Sequence, residues 1–371
     1  MREPATSSAV LELLFGDPRP VPPATKDLRR DLSYAAQSGR TLWTGSDETT
    51  RIERLTTRDF RRYGERASFL LSDFFELPEG PDVEVDLEGI ALADGWLWVV
   101  GSHSRTRAKP KPGDGPAKTL RALKELKARP NRCLLGRIPV VPEEETGLPV
   151  LARKDGKRRA GMLAMNRKGN ALTRLLAKDR VLAPFLALPS KENGLEIEGI
   201  AARGDRVFLG LRGPVLRGWA VVLEIEVAGK ATLDLAHFGA KKAKYRRHFL
   251  DLAGRGIRDL AFVGADLLVL AGPTMDLDGP STVYRWRGAA RATEAEAIGR
   301  DKLERVIDLP YGDGVDRPEG LALFRAPGAP ERLLVLCDSP DPRRLGPRGL
   351  IAVDLYDVPA PKPARAKRKR G

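Results

Sequence analysis

A short hairpin with one polar end recurs along the 371-residue chain, and this recurrence limits the fold more than any other feature. In the clearest copy, residues 86–91 (Asp-Leu-Glu-Gly-Ile-Ala) precede a turn at Ala93-Asp94-Gly95 and a second apolar run. Turn residues between two β-rich apolar runs are typical of a β-hairpin. Folding this hairpin places Glu88 beside Ser102 and His103, so its polar residues gather at one end.

Four other segments repeat the pattern, with first strands that begin near Asp31, Glu196, Gly256 and Arg317. Further β-rich runs follow the hairpins; in the second repeat we expect them at residues 133–141 and 181–188. Four strands in a repeat of about 55 to 60 residues are typical of a β-propeller blade. The sequence therefore predicts an all-β β-propeller with five blades of four strands, and six blades stay open if the long second repeat contains one more.

The last repeat lacks a fourth strand, whereas residues 10–15 form a spare β-rich run at the N-terminus. Pairing the two would close the ring and remove an exposed sheet edge. We therefore expect residues 1–25 to supply the ring-closing strand and residues 26–358 to form the propeller. Residues 359–371 contain only Pro, Ala, Lys, Arg and Gly and are predicted to be a disordered basic tail.

The formal net charge is +14, and its distribution along the chain is uneven. Residues 105–180 hold 21 Lys or Arg against 7 Asp or Glu, and the tail adds 6 basic residues. We expect residues 105–180 to be basic, partly helical insertions in the second blade, with helices near residues 118–127 and 170–177. A dedicated duplex binder has a continuous basic stripe instead. Nucleic acid is therefore expected to bind only weakly, through the insertion or the tail.

No stretch approaches the roughly 18 apolar residues of a membrane span. Cys133 and Cys337 lie in apolar runs and are predicted to be buried free thiols, which fits a reducing compartment. The sequence therefore predicts a cytoplasmic protein without a membrane partner.

In a propeller, the starts of the innermost strands and the ends of the next strands meet at one mouth of the central channel. Three glutamates at equivalent repeat positions would repel one another there unless something positive lies between them. Arginines or a divalent cation such as Ca²⁺ or Mg²⁺ would supply that charge. The predicted catalytic residues are Glu88, His103, Glu198 and Glu319; the predicted ligand-binding residues are Ser102, Arg105, Arg212, Arg258 and Asp338; the predicted metal ligands are Glu88, Asp259 and Glu319.

These residues favour a mouth that binds a small anionic ligand, phosphorylated or an ester, with the help of a divalent cation. Metal-assisted hydrolysis is the reaction this set would support. Two alternatives stay open. The glutamates instead lock the blades together through arginine pairs, or the protein is a scaffold whose face or basic insertion binds a protein or nucleic-acid partner.

Several motifs resemble a bacterial domain-of-unknown-function family, number 3616. They are residues 86–91 with Gly101-Ser-His-Ser-Arg, Gly210-Leu-Arg-Gly-Pro, Ile257-Arg-Asp-Leu-Ala with Ala271-Gly-Pro, and Pro318-Glu-Gly-Leu with Cys337-Asp-Ser-Pro-Asp-Pro. The likeness covers about residues 25–357. It implies a fold similar to phytase-like and esterase-like propellers, and the family lends no established activity or catalytic residues.

Overall fold

Antiparallel strand pairs dominate the computed structural model, which describes residues 3–17, 27–240, 242–275 and 278–361. The part of the predicted N-terminal segment at residues 18–25 lies outside these residues, as does the tail from residue 362 onward. β1 (Ala9–Leu14) precedes the first repeat. The strands of the first repeat are β2 (Leu32–Ser38), β3 (Thr41–Ser46), β4 (Arg51–Thr57) and β5 (Arg62–Leu70).

The second repeat carries the predicted insertions and is the longest. Its elements are β6 (Leu87–Ala93), β7 (Trp96–Gly101), β8 (Arg105–Arg107), α1 (Pro116–Lys124), β9 (Leu126–Ala128), β10 (Leu135–Pro142), β11 (Pro149–Leu151), β12 (Lys154–Asp155), β13 (Arg158–Arg159), β14 (Gly161–Leu163) and α2 (Ala171–Leu176).

The remaining three repeats contain the other strands. They are β15 (Glu196–Arg203), β16 (Arg206–Gly213), β17 (Trp219–Gly229), β18 (Thr232–Leu235), β19 (Arg246–Asp251), β20 (Gly256–Val263), β21 (Asp266–Gly272), β22 (Ser281–Trp286), β23 (Ala297–Ile298), β24 (Leu303–Leu309), β25 (Arg317–Phe324), β26 (Arg332–Asp338), β27 (Leu345–Gly346) and β28 (Leu350–Asp357). Short 3-10 turns join several of them, at Leu28–Arg30, Leu71–Asp73, Pro130–Cys133, Ala183–Ala187, Ser190–Glu192, Ala289–Arg291 and Pro342–Arg344.

Within the described residues, the strand pairs form five four-stranded antiparallel sets. Their orders are β2-β3-β4-β5, β6-β7-β10-β14, β15-β16-β17-β19, β20-β21-β22-β24 and β25-β26-β28-β1. In the fifth set, β1 pairs antiparallel with β28, from Ala9 opposite Leu355 to Leu14 opposite Leu350. The N-terminal strand therefore occupies the place that the fourth strand has in the other sets.

The innermost strands β2, β6, β15, β20 and β25 contact one another in a closed cycle. One cavity is lined by residues of all five strands, and each strand contributes an alanine at the equivalent place: Ala36, Ala91, Ala201, Ala261 and Ala322. A closed cycle of inner strands around such a channel is the architecture of a propeller. The all-β, propeller-like fold is thus confirmed, and we retain five blades as the interpretation of the five sets.

The hydrophobic core is divided among the gaps between neighbouring sets. Phe208 packs in the cluster between the third and fourth sets, whereas the next residue, Leu209, packs between the second and third. Val222 and Val221 divide in the same way. Both faces of these strands are buried, which explains why they are almost continuously apolar in the sequence.

The prediction of a strand at residues 181–188 is wrong. This stretch contains the 3-10 turn Ala183–Ala187, with Pro184 near its start. Proline has no N–H to donate to a sheet, which disfavours a strand here. The fourth strand of the second set is β14, which pairs with β10 at Gly136–Met162 and Arg137–Gly161. Hence two strands of the set lie inside residues 105–180, which are not insertion throughout.

The two predicted helices are present with small shifts of their ends. α2 begins after Asn170, whose side chain accepts a hydrogen bond from the Thr173 backbone N–H as an N-cap. α1 has no buried residue, and it lies between β8 and β9, which pair with each other. None of the helices in the described ranges has the length and apolar character needed to cross a membrane.

Candidate functional site

Each innermost strand carries a β-bulge at the same place near its start. The pairing with the second strand of the set shifts there, and one residue has no partner across the ladder. We call these five the bulge residues: Ser33, Glu88, Glu198, Arg258 and Glu319. A bulge bends the strand and re-aims a side chain, and bulges are common next to functional sites. Five such positions surround the axis of the channel.

Glycines after three bulge residues allow the inner strands to approach closely. A Cβ on Gly89 would lie 2.9 Å from Cγ2 of Ile200 and 3.1 Å from the carbonyl oxygen of Glu198. A Cβ on Gly199 would lie 3.0 Å from Cα of Asp259 on the following strand. These distances are too short for an ordinary side chain, so glycine sets the narrow spacing at the mouth.

Two buried arginines hold three of the mouth's glutamates. Arg212 contacts Glu196 (Nη2–Oε2, 2.6 Å) and Glu198 (Nη1–Oε1, 2.8 Å). Arg258 contacts Glu198 (Nε–Oε2, 3.0 Å) and also pairs with Glu319. Since Glu198, Arg258 and Glu319 belong to three successive sets, these ion pairs tie neighbouring blades together. The contacts of Glu198 and Glu319 therefore fit the alternative in which the glutamates lock the blades together through arginine pairs.

Glu88 differs from the other two glutamates because it lies among acidic neighbours. Its carboxylate, with those of Asp47 and Asp86, forms one group whose oxygens lie within 4.8 Å of one another; with Glu196 and Glu198 it forms a second such group. No side chain of the described residues makes an ion pair or hydrogen bond with Glu88. Asp86 is paired with Arg132 (Oδ2–Nη1, 2.8 Å).

Burial and mutual repulsion raise the pKa of several of these carboxyls. Burial raises the pKa of Glu88 well above its usual value, and Asp86, Glu198 and Asp47 add to the effect. Burial and then Asp86 raise the pKa of Asp47 to about 8. The pKa of Glu196 is raised to about 7, mainly by burial, although Arg212 opposes the shift. The carboxyls of Asp47 and Glu196 therefore hold protons closer to neutral pH than free carboxyls do.

A small cavity of about 70 Å³ lies beside the arginine pairs, and basic and acidic side chains both line it. Among its lining residues are Lys191, Arg212, Arg258, Arg317, Glu319 and Asp338. This volume has room for a few waters or a small polar group, since one water needs about 10 to 15 Å³ of such space.

The sequence of this fold matches one family of proteins. The family described as "Protein of unknown function (DUF3616)" has a model that matches residues 31–354. The chain belongs to this family. The resemblance read from the sequence motifs is thereby confirmed. No curated protein matches the chain.

The solved structures that are similar to the chain at low identity include the following three. Myxococcus xanthus glutaminyl cyclase is 11% identical with a TM-score of 0.40, over 95% of this chain and 100% of that one. The PQQ-bound aldose sugar dehydrogenase of Streptomyces coelicolor is 13% identical with a TM-score of 0.34, over 95% and 99%. The N-terminal domain of Nup159 is 9% identical with a TM-score of 0.28, over 88% and 76%.

His103, which the sequence predicts to be catalytic, is buried, and both of its ring nitrogens form hydrogen bonds. Nδ1 donates to the Gly101 carbonyl (2.8 Å), and the Asn170 side-chain amide donates to Nε2 (2.9 Å). Burial lowers the pKa of His103 to about 4, so the ring is neutral at physiological pH. Ser102 is also buried, and its Oγ lies 2.9 Å from Oγ of Ser104.

Asp259, a predicted metal ligand, uses both carboxylate oxygens on backbone N–H groups. Leu260 N donates to Oδ1 and Leu321 N donates to Oδ2, each at 2.7 Å. The second bond reaches the next innermost strand, so Asp259 fastens the fourth set to the fifth. In the described ranges, Asp259 and Glu319 do not join Glu88 in a three-carboxylate group.

Of the other predicted ligand-binding residues, Arg212, Arg258 and Asp338 meet at the small cavity. Arg105 lies apart from it and lines a second cavity together with His103. Sequence reasoning left out Asp86, Glu196 and Arg132. The first two had a signal, since an acidic residue stands two positions before the glutamate in both copies of the Glu-Gly-Ile-Ala motif.

Proposed function

We propose that the channel mouth binds a divalent cation through carboxylates centred on Glu88. The observation that carries the proposal is an excess of acidic side chains in a cluster that is buried or half-buried. The cluster contains seven carboxylates, Asp47, Glu84, Asp86, Glu88, Glu196, Glu198 and Glu319, and three arginines, Arg132, Arg212 and Arg258. Uncompensated buried carboxylates are costly, so they take up protons or pair with a cation.

The ligand set of this proposal differs from the one predicted from sequence. Glu88 stays as the central ligand, and Asp47 and Asp86 replace Asp259 and Glu319 around it. Carboxylate oxygens suit hard cations, and Ca²⁺ accepts more of them in less regular geometry than Mg²⁺. We therefore favour Ca²⁺ and keep Mg²⁺ as the alternative.

The bound ligand in this proposal is a small anion, phosphorylated or an ester, in the cavity lined by Lys191, Arg212 and Arg258. Arginine guanidinium groups form strong charge-assisted hydrogen bonds with phosphate and carboxylate oxygens. A cation held at Glu88 would also polarise such an oxygen. Glu196, with a carboxyl pKa of about 7, would be suited to accept a proton from an attacking water if the ligand is hydrolysed.

The test is a thermal-shift series with Ca²⁺, Mg²⁺ and Mn²⁺ at constant ionic strength. The wild type should melt at a higher temperature with at least one of them, because binding only to the folded state stabilises it. Glu88→Gln mimics the protonated carboxyl and should keep the fold but lose the shift. Glu331→Gln is the control, since Glu331 belongs to a surface ion pair with Arg325. A wild type that no cation stabilises would refute the proposal.

A phosphoester and carboxylic-ester panel, added with the best cation, separates binding from catalysis. Product release that depends on the cation and is lost in Glu88→Gln would support hydrolysis. A further thermal shift without product would support a binding protein only. If no compound in the panel shifts the melting temperature or reacts, the anionic-ligand part of the proposal fails even where the cation binds.

The basic insertion favours a second function, namely a scaffold that binds a partner. Leu120, Leu123 and Leu126 of this insertion are 57%, 44% and 46% exposed, which is unusual for leucine. Purified protein should be compared with a variant lacking residues 109–129 in pull-downs from cell extract. Partners that both forms capture equally would exclude a role for the insertion.

A further inference from the structure

A second cavity, of about 260 Å³, lies beside the basic insertion, and none of the carboxylates of the acidic cluster lines it. The ends of the β8–β9 hairpin, the segment before α2 and the corner after β7 form its walls. Four cationic side chains line it, those of Arg105, Arg129, Arg167 and Lys168. No carboxylate is found among its described lining residues. The cavity at the channel mouth differs, because basic and acidic side chains both line it.

The positive charge of this cavity is poorly compensated. Arg129 contacts Glu79 at 3.6 Å (Nη1–Oε1), and Arg105 donates from Nε to the Leu186 carbonyl (3.1 Å). The side chains of Arg167 and Lys168 are exposed and make no ion pair or hydrogen bond with any residue that the structure describes. At the mouth, by contrast, Arg212 and Arg258 are each engaged by two carboxylates.

Buried hydrogen bonds hold the floor of the cavity in place. The Asn170 side-chain amide donates to Nε2 of His103 and to the Cys133 carbonyl (2.6 Å), and its oxygen caps α2. Asn170 is fully buried, and Gly169, just before it, lines the cavity. The cationic side chains therefore surround a preorganised floor, which lowers the entropy cost of ligand binding.

The lining restricts the chemistry of the ligand. A metal ion lacks donors here, because both nitrogens of His103 are occupied and the Cys133 thiol is protonated, its pKa raised to about 11 by burial. Among the described residues that line the cavity there is no Phe, Tyr or Trp, so nucleic-acid bases find no aromatic ring there on which to stack. Several cations on a concave surface fit an anion with more than one negative charge.

We propose that this cavity is a second anion site, which binds a small phosphate compound with at least two negative charges through Arg105, Arg129, Arg167 and Lys168. The site does not depend on the proposed function of the channel mouth, because none of the cation-binding carboxylates lines it. Arg105, predicted from the sequence to bind an anion at the mouth, would bind one here instead.

Isothermal titration calorimetry with inorganic pyrophosphate tests the proposal, at constant ionic strength and with EDTA to remove divalent cations. The wild type should bind, and Arg167→Gln/Lys168→Gln should bind about tenfold or more weakly, since charge-assisted hydrogen bonds are lost. Both residues are exposed, so the variant should fold. The matched control is Lys157→Gln/Arg159→Gln, which removes the same charge from exposed positions on the β12–β13 hairpin of the same repeat.

Three outcomes overturn the proposal. The wild type binds no pyrophosphate, or both double variants weaken binding equally, which would indicate the overall charge of the insertion rather than this cavity. In the third outcome, a single-stranded oligothymidylate binds the wild type but not the Arg167→Gln/Lys168→Gln variant, and pyrophosphate does not displace it. That result would indicate a nucleic-acid surface. Glu88→Gln should bind pyrophosphate as the wild type does, which separates this test from that of the channel mouth.

Discussion

Arg258 and Glu198, on neighbouring innermost strands, form a buried ion pair with an Nε–Oε2 distance of 3.0 Å. Both are bulge residues, so an arginine stands in the fourth repeat where the second, third and fifth repeats have glutamate. The same guanidinium pairs with Glu319 on its other side. Because Arg258 stands where a glutamate would repel both neighbours, Glu198 and Glu319 each gain a positively charged partner.

Replacing Arg258 should therefore destabilise the propeller strongly. Arg258→Gln leaves Glu198 with one arginine and Glu319 without this partner in a buried site. Removing one member of a buried ion pair typically costs about 3 to 5 kcal/mol. Urea unfolding of the variant should show a decrease of this size in the free energy of unfolding.

The surface pair between Arg325 and Glu331 provides the control for this prediction. Arg325 is 63% exposed in its side chain, and exposed pairs typically contribute less than about 1 kcal/mol. Arg325→Gln should therefore change the free energy of unfolding only slightly. Equal effects of the two substitutions would show that the Arg258 contacts do not lock the blades.

The acidic cluster should make stability depend on pH in the absence of divalent cations. The pKa of Asp47 rises from its ordinary 3.8 to about 8 on folding, so the folded state holds a proton that the unfolded state has lost. The contribution of Asp47 to the free energy of unfolding is therefore largest below pH 4 and falls as the pH rises towards 8. The slope is at most about 1.4 kcal/mol per pH unit for one group, and less here because Asp47 is only half-buried.

Asp47→Asn should flatten this fall in stability, because an amide cannot ionise. Urea unfolding at several pH values between 4 and 8 measures the difference from wild type, and Asp82→Asn at an exposed position serves as the control. Parallel profiles of wild type and Asp47→Asn would mean that Asp47 does not carry the extra proton.

His103 should stay neutral well below neutral pH. Its folded-state pKa is lowered to about 4 by burial, whereas the unfolded ring titrates near 6.5. Its contribution to stability is complete above pH 6.5 and is lost as the pH falls towards 4. The ring-proton NMR signal of His103 should not shift between pH 5.5 and 8, because the ring stays neutral throughout this range. Titration of His103 in that range would contradict its buried hydrogen-bonded geometry.

The repeat pattern predicted much of the fold because each hairpin carries its information locally. Alternating turn residues and apolar runs identified all five innermost strands, and the alignment of the copies placed Glu88, Glu198 and Glu319 at one mouth. By contrast, β14 has only three residues, too few for a recognisable pattern. The 3-10 turn at Ala183–Ala187 replaced a predicted strand because its apolar residues fit either structure.

The different roles of Glu88, Glu198 and Glu319 could not be predicted from the sequence. Glu198 and Glu319 are paired because Arg258 stands between them in the ring, whereas the ring neighbours of Glu88 are Ser33 and Glu198. Asp259 looked like a metal ligand from its position, yet backbone N–H groups occupy both of its oxygens. The ion-pair and hydrogen-bond partners of these carboxylates depend on which blades become neighbours. A local sequence pattern does not predict that arrangement.

The pairing of β1 with β28 can be tested by two substitutions within one strand. Leu13 is fully buried opposite Ile351, so Leu13→Ala should lower the free energy of unfolding by about 2 to 5 kcal/mol through lost packing. Val10, in the same strand, is 50% exposed, and Val10→Ala should change it by about 0.5 kcal/mol or less. Urea unfolding measures both. Deleting residues 3–15 should also promote aggregation, because it leaves the edge of β28 unpaired. If Leu13→Ala is as mild as Val10→Ala and the deletion stays monomeric, the N-terminal strand does not close the ring in solution.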